Sequence, residues 1–287
     1  MMMLLLTLVA AATYVHPEML VDTAWLATHL TDSSIRIVDM RTKGYEEGHI
    51  PGAVLLRNED IRDAHHPPTF LPGVPEFERL MGRLGIDNST RVIAYDDRGG
   101  IYAARLWWIL NYHGHANIAL LNGGWVKWTR ESRATSTDMP AVATRTFSAT
   151  PSPAWLATAS DVVSAIGRPG VKIVDARTQA EIEGKDLRGI RHGGFIPSSI
   201  PVYWEDAFDP ELKAFKPAPE LERLYRDKGI LPSHEVIAYC QVGMRASHDL
   251  FVLHLLGYDK LRCYYGSWEE WGNRDDLPIT TVSAPPE

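Results

Sequence analysis

The stretch VIAYCQVGMRASHDLFVLHLLG, residues 236–257, joins an apolar run to an apolar segment through one cysteine and a short loop. The run at 236–239 is typical of a buried strand, and the leucine-rich segment ending at Gly257 indicates a helix with a glycine cap. Cys240 therefore follows a strand and precedes a helix N-terminus, where open α/β sheets bind ligands and the helix dipole favours an anion. We predict that Cys240 acts as a nucleophile, because the thiolate is the reactive form of cysteine. Arg245, in the same loop, adds a positive charge.

Length and composition indicate a two-domain globular protein. A chain of 287 residues is long for one domain, and 45% hydrophobic with 23% charged residues is ordinary for a soluble fold. The net charge of −7 argues against a general nucleic-acid-binding surface. The two cysteines, Cys240 and Cys263, exclude a disulfide framework, and Cys263 lies in a strand-like pattern that predicts a core position. The pair His65-His66 lacks a third ligand, so we expect no metal.

The apolar start, residues 1–13, has two interpretations. It ends in small residues that suit a signal peptidase, but it lacks a basic residue before the apolar run and is too short to span a bilayer. We expect a cytoplasmic protein without stable membrane association. A periplasmic or secreted location is the alternative if residues 1–12 act as a signal peptide.

The two halves of the chain repeat one pattern. IVDMR at 37–41 recurs as IVDAR at 173–177, and VIAY at 92–95 recurs as VIAY at 236–239. Matches this close predict two copies of one structural unit. The spacing between matches is larger in the second half, which places a longer loop after residue 177.

Each half alternates predicted strands and helices. In the first half we predict a helix capped by Asp22 and running to Leu30, strands at 35–38, 91–95 and 118–121, and helices at 75–85 and 103–112. This order predicts an α/β fold with two tandem domains, each a mostly parallel sheet with helices on both faces. The domains are expected at 14–135 and 154–287. The Thr-, Ser- and Pro-rich residues 136–153 form the expected linker.

The repeat shows that the two halves differ at the candidate nucleophile. Tyr95 pairs with Tyr239, so Asp96 stands where the second half has Cys240. The first loop also carries Asp97, and two carboxylates would repel an anion. We therefore expect the second domain to be catalytic and the first non-catalytic, with its carboxylates docked against the partner domain.

These features together resemble a known family. The carrying motifs are D-x-R at 39–41 and 175–177, GHIPGA at 48–53, CQVGMR at 240–245 and GSWEEW at 266–271. From about residue 19 to 280 the chain resembles the tandem-domain rhodaneses, which are thiosulfate sulfurtransferases. The resemblance implies facing α/β domains, a loop cysteine that cycles between thiolate and persulfide, and no metal or organic cofactor. It implies thiosulfate as donor and cyanide or a thiol as acceptor.

Several residues are expected to bind the substrate. The loop amides should hold the sulfur and its developing charge, and Gly243 should let the loop close tightly. The predicted substrate-binding residues are Gln241, Val242, Gly243, Met244, Arg245 and Arg177. For Arg177 an ion pair with Asp175 is the favoured alternative.

The loop also separates rival functions. Related cysteine-dependent phosphatases have a loop one residue longer, which argues against phosphate. A 3-mercaptopyruvate sulfurtransferase shares the fold but typically lacks the loop arginine, so Arg245 favours thiosulfate. Glu181 and Gln241 stand where basic residues are common in the family, which weakens this preference. A sulfur-relay or scaffold protein loaded by a partner protein is a further alternative. We expect a monomer with small-molecule substrates and no nucleic-acid partner.

Overall fold

The computed structural model describes residues 13–63 and 70–282, in which each half forms a five-stranded parallel sheet. The first sheet contains β1 (Leu20–Val21), β2 (Ile35–Asp39), β3 (Val54–Leu55), β4 (Arg91–Tyr95) and β5 (Ile118–Leu121). The second contains β6 (Leu156–Ala157), β7 (Val171–Asp175), β8 (Ile200–Pro201), β9 (Glu235–Tyr239) and β10 (Leu261–Tyr264). The strand orders are β1-β5-β4-β2-β3 and β6-β10-β9-β7-β8. The halves therefore repeat one topology, which confirms the predicted α/β fold.

The helices of the described residues also repeat between the halves, except that α6 (Gln179–Ile182) has no counterpart in the first half. Those of the first half are α1 (Thr23–Ala27), α2 (Val74–Arg83), α3 (Ile101–Tyr112) and α4 (Gly124–Arg130). Those of the second half are α5 (Ala159–Ala165), α6 (Gln179–Ile182), α7 (Ala218–Arg226), α8 (Met244–Leu255) and α9 (Ser267–Trp271). None of these helices is long and apolar enough to cross a membrane.

Helices cover both faces of each sheet. In β4, Val92 and Ala94 contact the apolar cluster that includes α2 and α3, whereas Ile93 and Tyr95 contact the cluster that includes α1 and α4. The strand is continuously apolar because both of its faces are buried.

Some predicted boundaries were wrong. The helix capped by Asp22 ends at Ala27, before the predicted Leu30. Helix α3 begins at Ile101 and not at Ala103, because Gly100 adopts a φ of 89° and starts the helix there. The two-residue strands at the sheet edges were not predicted, since two residues show no periodicity. The predictions for residues 1–12 and for His65-His66 lie outside the described residues.

The two halves share one apolar core. Helices α3 and α8 pack against each other, with the Trp107 ring edge-on to Phe251 at 5.4 Å between centroids. The Trp108 ring stacks on Tyr265 at 4.8 Å. A single cluster of buried apolar residues runs through both halves. Because α3 and α8 each follow a strand-end loop, their packing brings the two repeated loops to the same interface.

Residues 131–152 connect the halves along the surface of the first. They contain no helix or strand, and their backbone bonds to the first half: the Arg145 N–H donates to the Gly82 carbonyl (3.0 Å) and the Ser152 N–H to the Tyr112 carbonyl (2.7 Å). This connection includes the predicted linker except for its last residue, Pro153, which begins a 3-10 helix. The linker is therefore held against the first half.

Candidate active site

Cys240 directly follows β9, and α8 begins after residues 241–243. Its backbone is held by the start of α9, because the Cys240 N–H donates to Ser267 Oγ (3.1 Å) and the Trp268 N–H donates to the Cys240 carbonyl (2.9 Å). The side chain is buried, yet it lines a cleft. The sulfur thus lies at the N-terminal end of a long buried helix, where backbone N–H groups and the helix dipole favour an anion.

Gly243 closes the loop tightly against the neighbouring strand end. Its φ is 81°, and a Cβ at this position would collide with the Tyr265 ring. Both features require glycine, because an L-residue is strained at this φ and would displace the aromatic ring. The prediction that this glycine permits a tight loop agrees with the geometry.

In the first half, the loop that matches the Cys240 loop surrounds the carboxylate of Asp96. The Asp96 carboxylate accepts backbone N–H groups from four residues, at 2.7–3.0 Å: Arg98, Gly100, Tyr102 and Ala103. Burial raises the pKa of Asp96, and these four amides oppose the rise. Amides converging on one carboxylate form an anion site. The loop and helix start that Cys240 shares with Asp96 are therefore suited to negative charge.

The expectation that Asp96 docks against the second half was wrong. Its carboxylate is turned into its own loop and satisfied there, so it has no oxygen free for the partner domain. Asp97 lies beside Arg41 and Lys43 in a separate surface depression of the first half.

Arg245 is fixed in a bidentate ion pair. Its Nη1 lies 2.6 Å from Glu181 Oε2 and its Nη2 lies 2.8 Å from Glu181 Oε1. Burial alone would raise the pKa of Glu181, but Arg245 and the hydrogen bonds from Thr178 lower it to about 2. Glu181 is therefore ionised and compensates the charge of Arg245. The positively charged Arg245 lines the cleft, but the Glu181 carboxylate compensates its charge.

The cleft above Cys240 has a volume of about 530 Å³ and lies between the two halves. Of the predicted substrate-binding residues, Gln241, Val242, Met244 and Arg245 line it together with Cys240. Gly243 lies behind them against Tyr265 and is not part of the lining.

Arg177 does not line this cleft. Its Nη2 lies 2.7 Å from Asp175 Oδ2 and 2.8 Å from the Gly194 carbonyl, and its guanidinium stacks on Trp268 at 4.2 Å. The first half, which lacks the thiol, repeats this arrangement with Asp39, Arg41, Gly48 and Trp125. An arrangement present in both halves does not depend on the cysteine. The structure thus favours the ion pair over the predicted substrate contact.

Most residues of the cleft wall were not predicted from the sequence. Three lining residues come from the first half, namely Arg98, Ile101 and Tyr102, and seven more come from the second half, namely Thr178, Arg188, Ile190, Tyr203, Trp204, Glu205 and Glu269. The repeat carried a signal for the first group, because residues 96–100 align with the loop of Cys240. The packing of α3 on α8, which brings the loops together, was not predicted.

Cys263 lies behind the loop and is fully buried, as its strand pattern predicts. Its Sγ is 3.8 Å from the Gly243 carbonyl, and burial raises its pKa well above the usual value. It is a neutral core thiol and not a second nucleophile.

Among the described residues, one group brings together side chains of the kind that bind metals. His16, His254 and Asp259 place one ligand atom each within 4.8 Å of one another. The two imidazole rings stack at 4.9 Å, His254 Nδ1 contacts the Tyr258 carbonyl, and Asp259 is exposed. The group is not part of the Cys240 cleft, and we assign no metal to it.

The fold and the loop define a tandem-domain α/β protein with one cysteine at the cleft between its two halves. Comparison with known proteins finds the rhodanese-like domain at residues 22–131 and again at 158–274. The chain therefore belongs to the rhodanese family, as the motifs predicted.

Named relatives cover almost the whole chain. The sulfur carrier protein TtuD of Thermus thermophilus is 36% identical over 284 residues, which are 93% of this chain and 98% of that protein. A thiosulfate sulfurtransferase of Corynebacterium glutamicum is 35% identical over 283 residues, which are 93% and 92% of the two chains. The crystal structure of SseA from Escherichia coli, described as a 3-mercaptopyruvate sulfotransferase, is 27% identical with a TM-score of 0.78 and covers 87% of this chain and 98% of that one.

Proposed function

We propose that the chain is a thiosulfate sulfurtransferase that carries sulfur on Cys240 and passes it to cyanide or a thiol. The observation that carries this proposal is the position of Cys240 at an anion-favouring helix start, in a cleft lined by three arginines and two glutamates, of which Glu269 is paired with Arg62. The short loop to Arg245 suits a terminal sulfur atom, and the family membership supports sulfur chemistry.

The first half-reaction forms the persulfide. The Cys240 thiolate attacks the outer sulfur of thiosulfate, a new S–S bond forms, and the bond between the two sulfurs of thiosulfate breaks with its electron pair leaving on sulfite. The charges balance, because a thiolate and a dianion become a persulfide anion and the sulfite dianion. The loop amides and the start of α8 stabilise the negative charge on the persulfide.

The second half-reaction discharges the persulfide. Cyanide attacks the outer sulfur and leaves as thiocyanate, or a thiol attacks and leaves as a new persulfide, and in both cases the Cys240 thiolate is restored. The sulfur is itself the group carried, so neither step uses a metal or organic cofactor. We propose that the protein acts as a monomer.

Two alternatives have specific support. The ion pair with Glu181 compensates Arg245, which reduces the advantage of a dianionic donor and favours a monoanion such as 3-mercaptopyruvate. The relative named as a sulfur carrier protein favours a relay, in which a partner protein loads Cys240.

Side-by-side kinetics separate these functions. We expect a larger kcat/KM with thiosulfate than with 3-mercaptopyruvate when cyanide is the acceptor. A larger value with 3-mercaptopyruvate would replace the proposed donor. Loading by a persulfidated donor protein, with neither small donor active, would support the relay.

A further inference from the structure

The cationic side chains of the cleft differ in how far their charges are compensated. Arg245 is paired with Glu181, and Arg188 Nη1 also faces Glu181, at 3.9 Å from Oε1. Arg98, which comes from the non-catalytic half, has no carboxylate partner among the described residues. Its Nη1 is 3.4 Å from the Tyr102 hydroxyl, which is a weak contact between two lining residues of the cleft. Two carboxylates also line the cleft, those of Glu205 and Glu269, and Glu269 is paired with Arg62. Arg98 thus offers the cleft a positive charge that is not held in an ion pair with a described residue.

The backbone that carries Arg98 is held firmly on both sides. The Arg98 N–H donates to Asp96 Oδ1 at 2.7 Å. The next residue, Gly99, accepts a hydrogen bond at its carbonyl from His248 Nε2 at 3.0 Å, and His248 lies on α8 of the catalytic half. Burial lowers the pKa of His248 to about 4, so its ring is neutral at pH 7 and Nε2 carries the proton of this bond. The loop of the first half is therefore tied to the helix that follows Cys240.

We propose that Arg98 is a specificity-determining residue that binds the anionic end of the sulfur donor while Cys240 attacks the outer sulfur. This assignment rests on the proposed function and deepens it, because it gives the non-catalytic half a role in selecting the donor. The planar guanidinium of arginine can donate two parallel hydrogen bonds to a sulfonate or a carboxylate. A neutral donor would gain nothing from it.

The effect of Arg98 should be moderate, because its side chain is exposed to solvent. Water screens a pair of opposite charges at a protein surface. One such pair between Arg98 and an anionic reagent should change the rate constant for the reaction of that reagent with Cys240 by about five-fold. The change should be larger for the thiosulfate dianion than for a monoanion, and it should shrink as salt is added.

The test compares a charged and a neutral reagent for the same thiol. Iodoacetate and iodoacetamide both alkylate Cys240, and the ratio of their rate constants reports the charge around the sulfur. We expect Arg98→Ala to lower the ratio of the iodoacetate to the iodoacetamide rate constant about five-fold, with little change in the iodoacetamide rate constant itself. Arg98→Lys should keep most of the wild-type ratio. Arg83→Ala, which removes an exposed arginine of α2 outside the cleft, is the matched control and should leave the ratio unchanged.

Persulfide formation from thiosulfate, followed by intact mass after rapid quenching, supplies the second readout. Arg98→Ala should lower its second-order rate constant by about five-fold or more. An unchanged alkylation ratio in Arg98→Ala, or an equal loss with both alkylating reagents, would overturn the assignment. If the wild-type protein is not loaded by thiosulfate but the ratio still falls, the proposed donor is wrong and Arg98 remains the anion-binding residue of the cleft.

Discussion

Glu181 compensates the positive charge of Arg245 in the loop that follows Cys240. Its carboxylate holds both Nη atoms of Arg245 and accepts the N–H and hydroxyl of Thr178 at 3.0 and 2.8 Å. Because Arg245 is already paired with Glu181, it orients the loop but attracts an anionic donor less strongly than an unpaired arginine would. The selectivity of the site for doubly charged donors should therefore depend on Glu181.

The first prediction concerns a variant that removes only the negative charge of Glu181. In Glu181→Gln the amide keeps much of the shape but no longer compensates Arg245, so an anion should bind more tightly. We expect KM for thiosulfate to fall about three- to ten-fold, and KM for 3-mercaptopyruvate to fall less. Steady-state kinetics with both donors measures this. A higher KM for thiosulfate would show that Glu181 helps binding by orienting Arg245.

The second prediction concerns pH. The pKa of Glu181 is lowered from 4.5 to about 2, so the ion pair stabilises the fold fully above pH 4.5, and this contribution is lost as the pH falls towards 2. The difference in free energy of unfolding between wild type and Glu181→Gln should be constant from about pH 5 to 9 and shrink below about pH 4.5. Urea unfolding at a series of pH values measures it. A difference that grows on acidification would contradict this account.

At the scale of single residues, the repeat drew attention to Cys240, because Asp96 stands at the matching position of the first half. The structure brings Cys240 together with Gln241, Val242, Met244 and Arg245 in one cleft, and their roles in catalysis stay predictions. The state of Arg245 could not be predicted, since Glu181 is far away in the chain and only the fold brings them together. The favoured ion-pair interpretation of Arg177 followed from its closeness to Asp175 in sequence.

At the level of elements, the site depends on how β9 passes into α8. Cys240 follows the strand, Gly243 turns the chain, and α8 begins at Met244 with its N-terminal end near the cysteine. The loop can hold this shape only if Gly243 has no side chain.

The third prediction compares two glycines of the second half. Gly243 has a φ of 81° and Gly229 has a φ of 72°, but a Cβ would collide with Tyr265 only at Gly243 and meets nothing within 4 Å at Gly229. Gly229→Ala should cost about 1–2 kcal/mol of stability for the left-handed backbone alone. Gly243→Ala should cost at least about 1 kcal/mol more and should slow persulfide formation.

Urea unfolding and rapid-quench mass spectrometry check these outcomes. Equal losses of stability in the two variants, with normal persulfide formation, would show that the contact between Gly243 and Tyr265 does not hold the loop.

The sequence predicted the long, periodic elements well. Strand β5 was predicted at its observed bounds, and the predicted run before Cys240 lies within β9. The edge strands β1 and β6 were missed, because their two residues pair with β5 and β10 only once the sheets have formed. Helix α1 is shorter than predicted, although its Asp22 cap accepts the Trp25 N–H as expected.

At the scale of the whole molecule, the two repeated units are joined by an apolar interface. Trp107 of α3 packs against Phe251 of α8, and the Cys240 cleft lies at the same interface. The first half therefore supports the site in two ways, since it buries α8 and it supplies part of the cleft wall.

The fourth prediction follows from this shared core. Calorimetry should show one cooperative transition for both halves, because separating them would expose α3 and α8. Trp107→Ala should cost about 3–5 kcal/mol and lower Tm without splitting the transition. Two resolved transitions in the wild-type protein would contradict a shared core.

The repeat in the sequence predicted two domains of one topology. It could not predict their contact, because Trp107 and Phe251 are apolar residues of two helices that are buried throughout, and no single face marks them as an interface. The contribution of Arg98 to the cleft depends on that contact, and for this reason it was missed.

The most direct test of the central claim is the intact mass of the protein after incubation with thiosulfate. We predict a gain of one sulfur atom in the wild-type protein, its loss on addition of cyanide, and no gain in Cys240→Ser, whereas Cys263→Ser should be loaded like the wild type. A gain that persists in Cys240→Ser, or no gain in the wild-type protein, would contradict the assignment of Cys240 as the carrier of sulfur from thiosulfate.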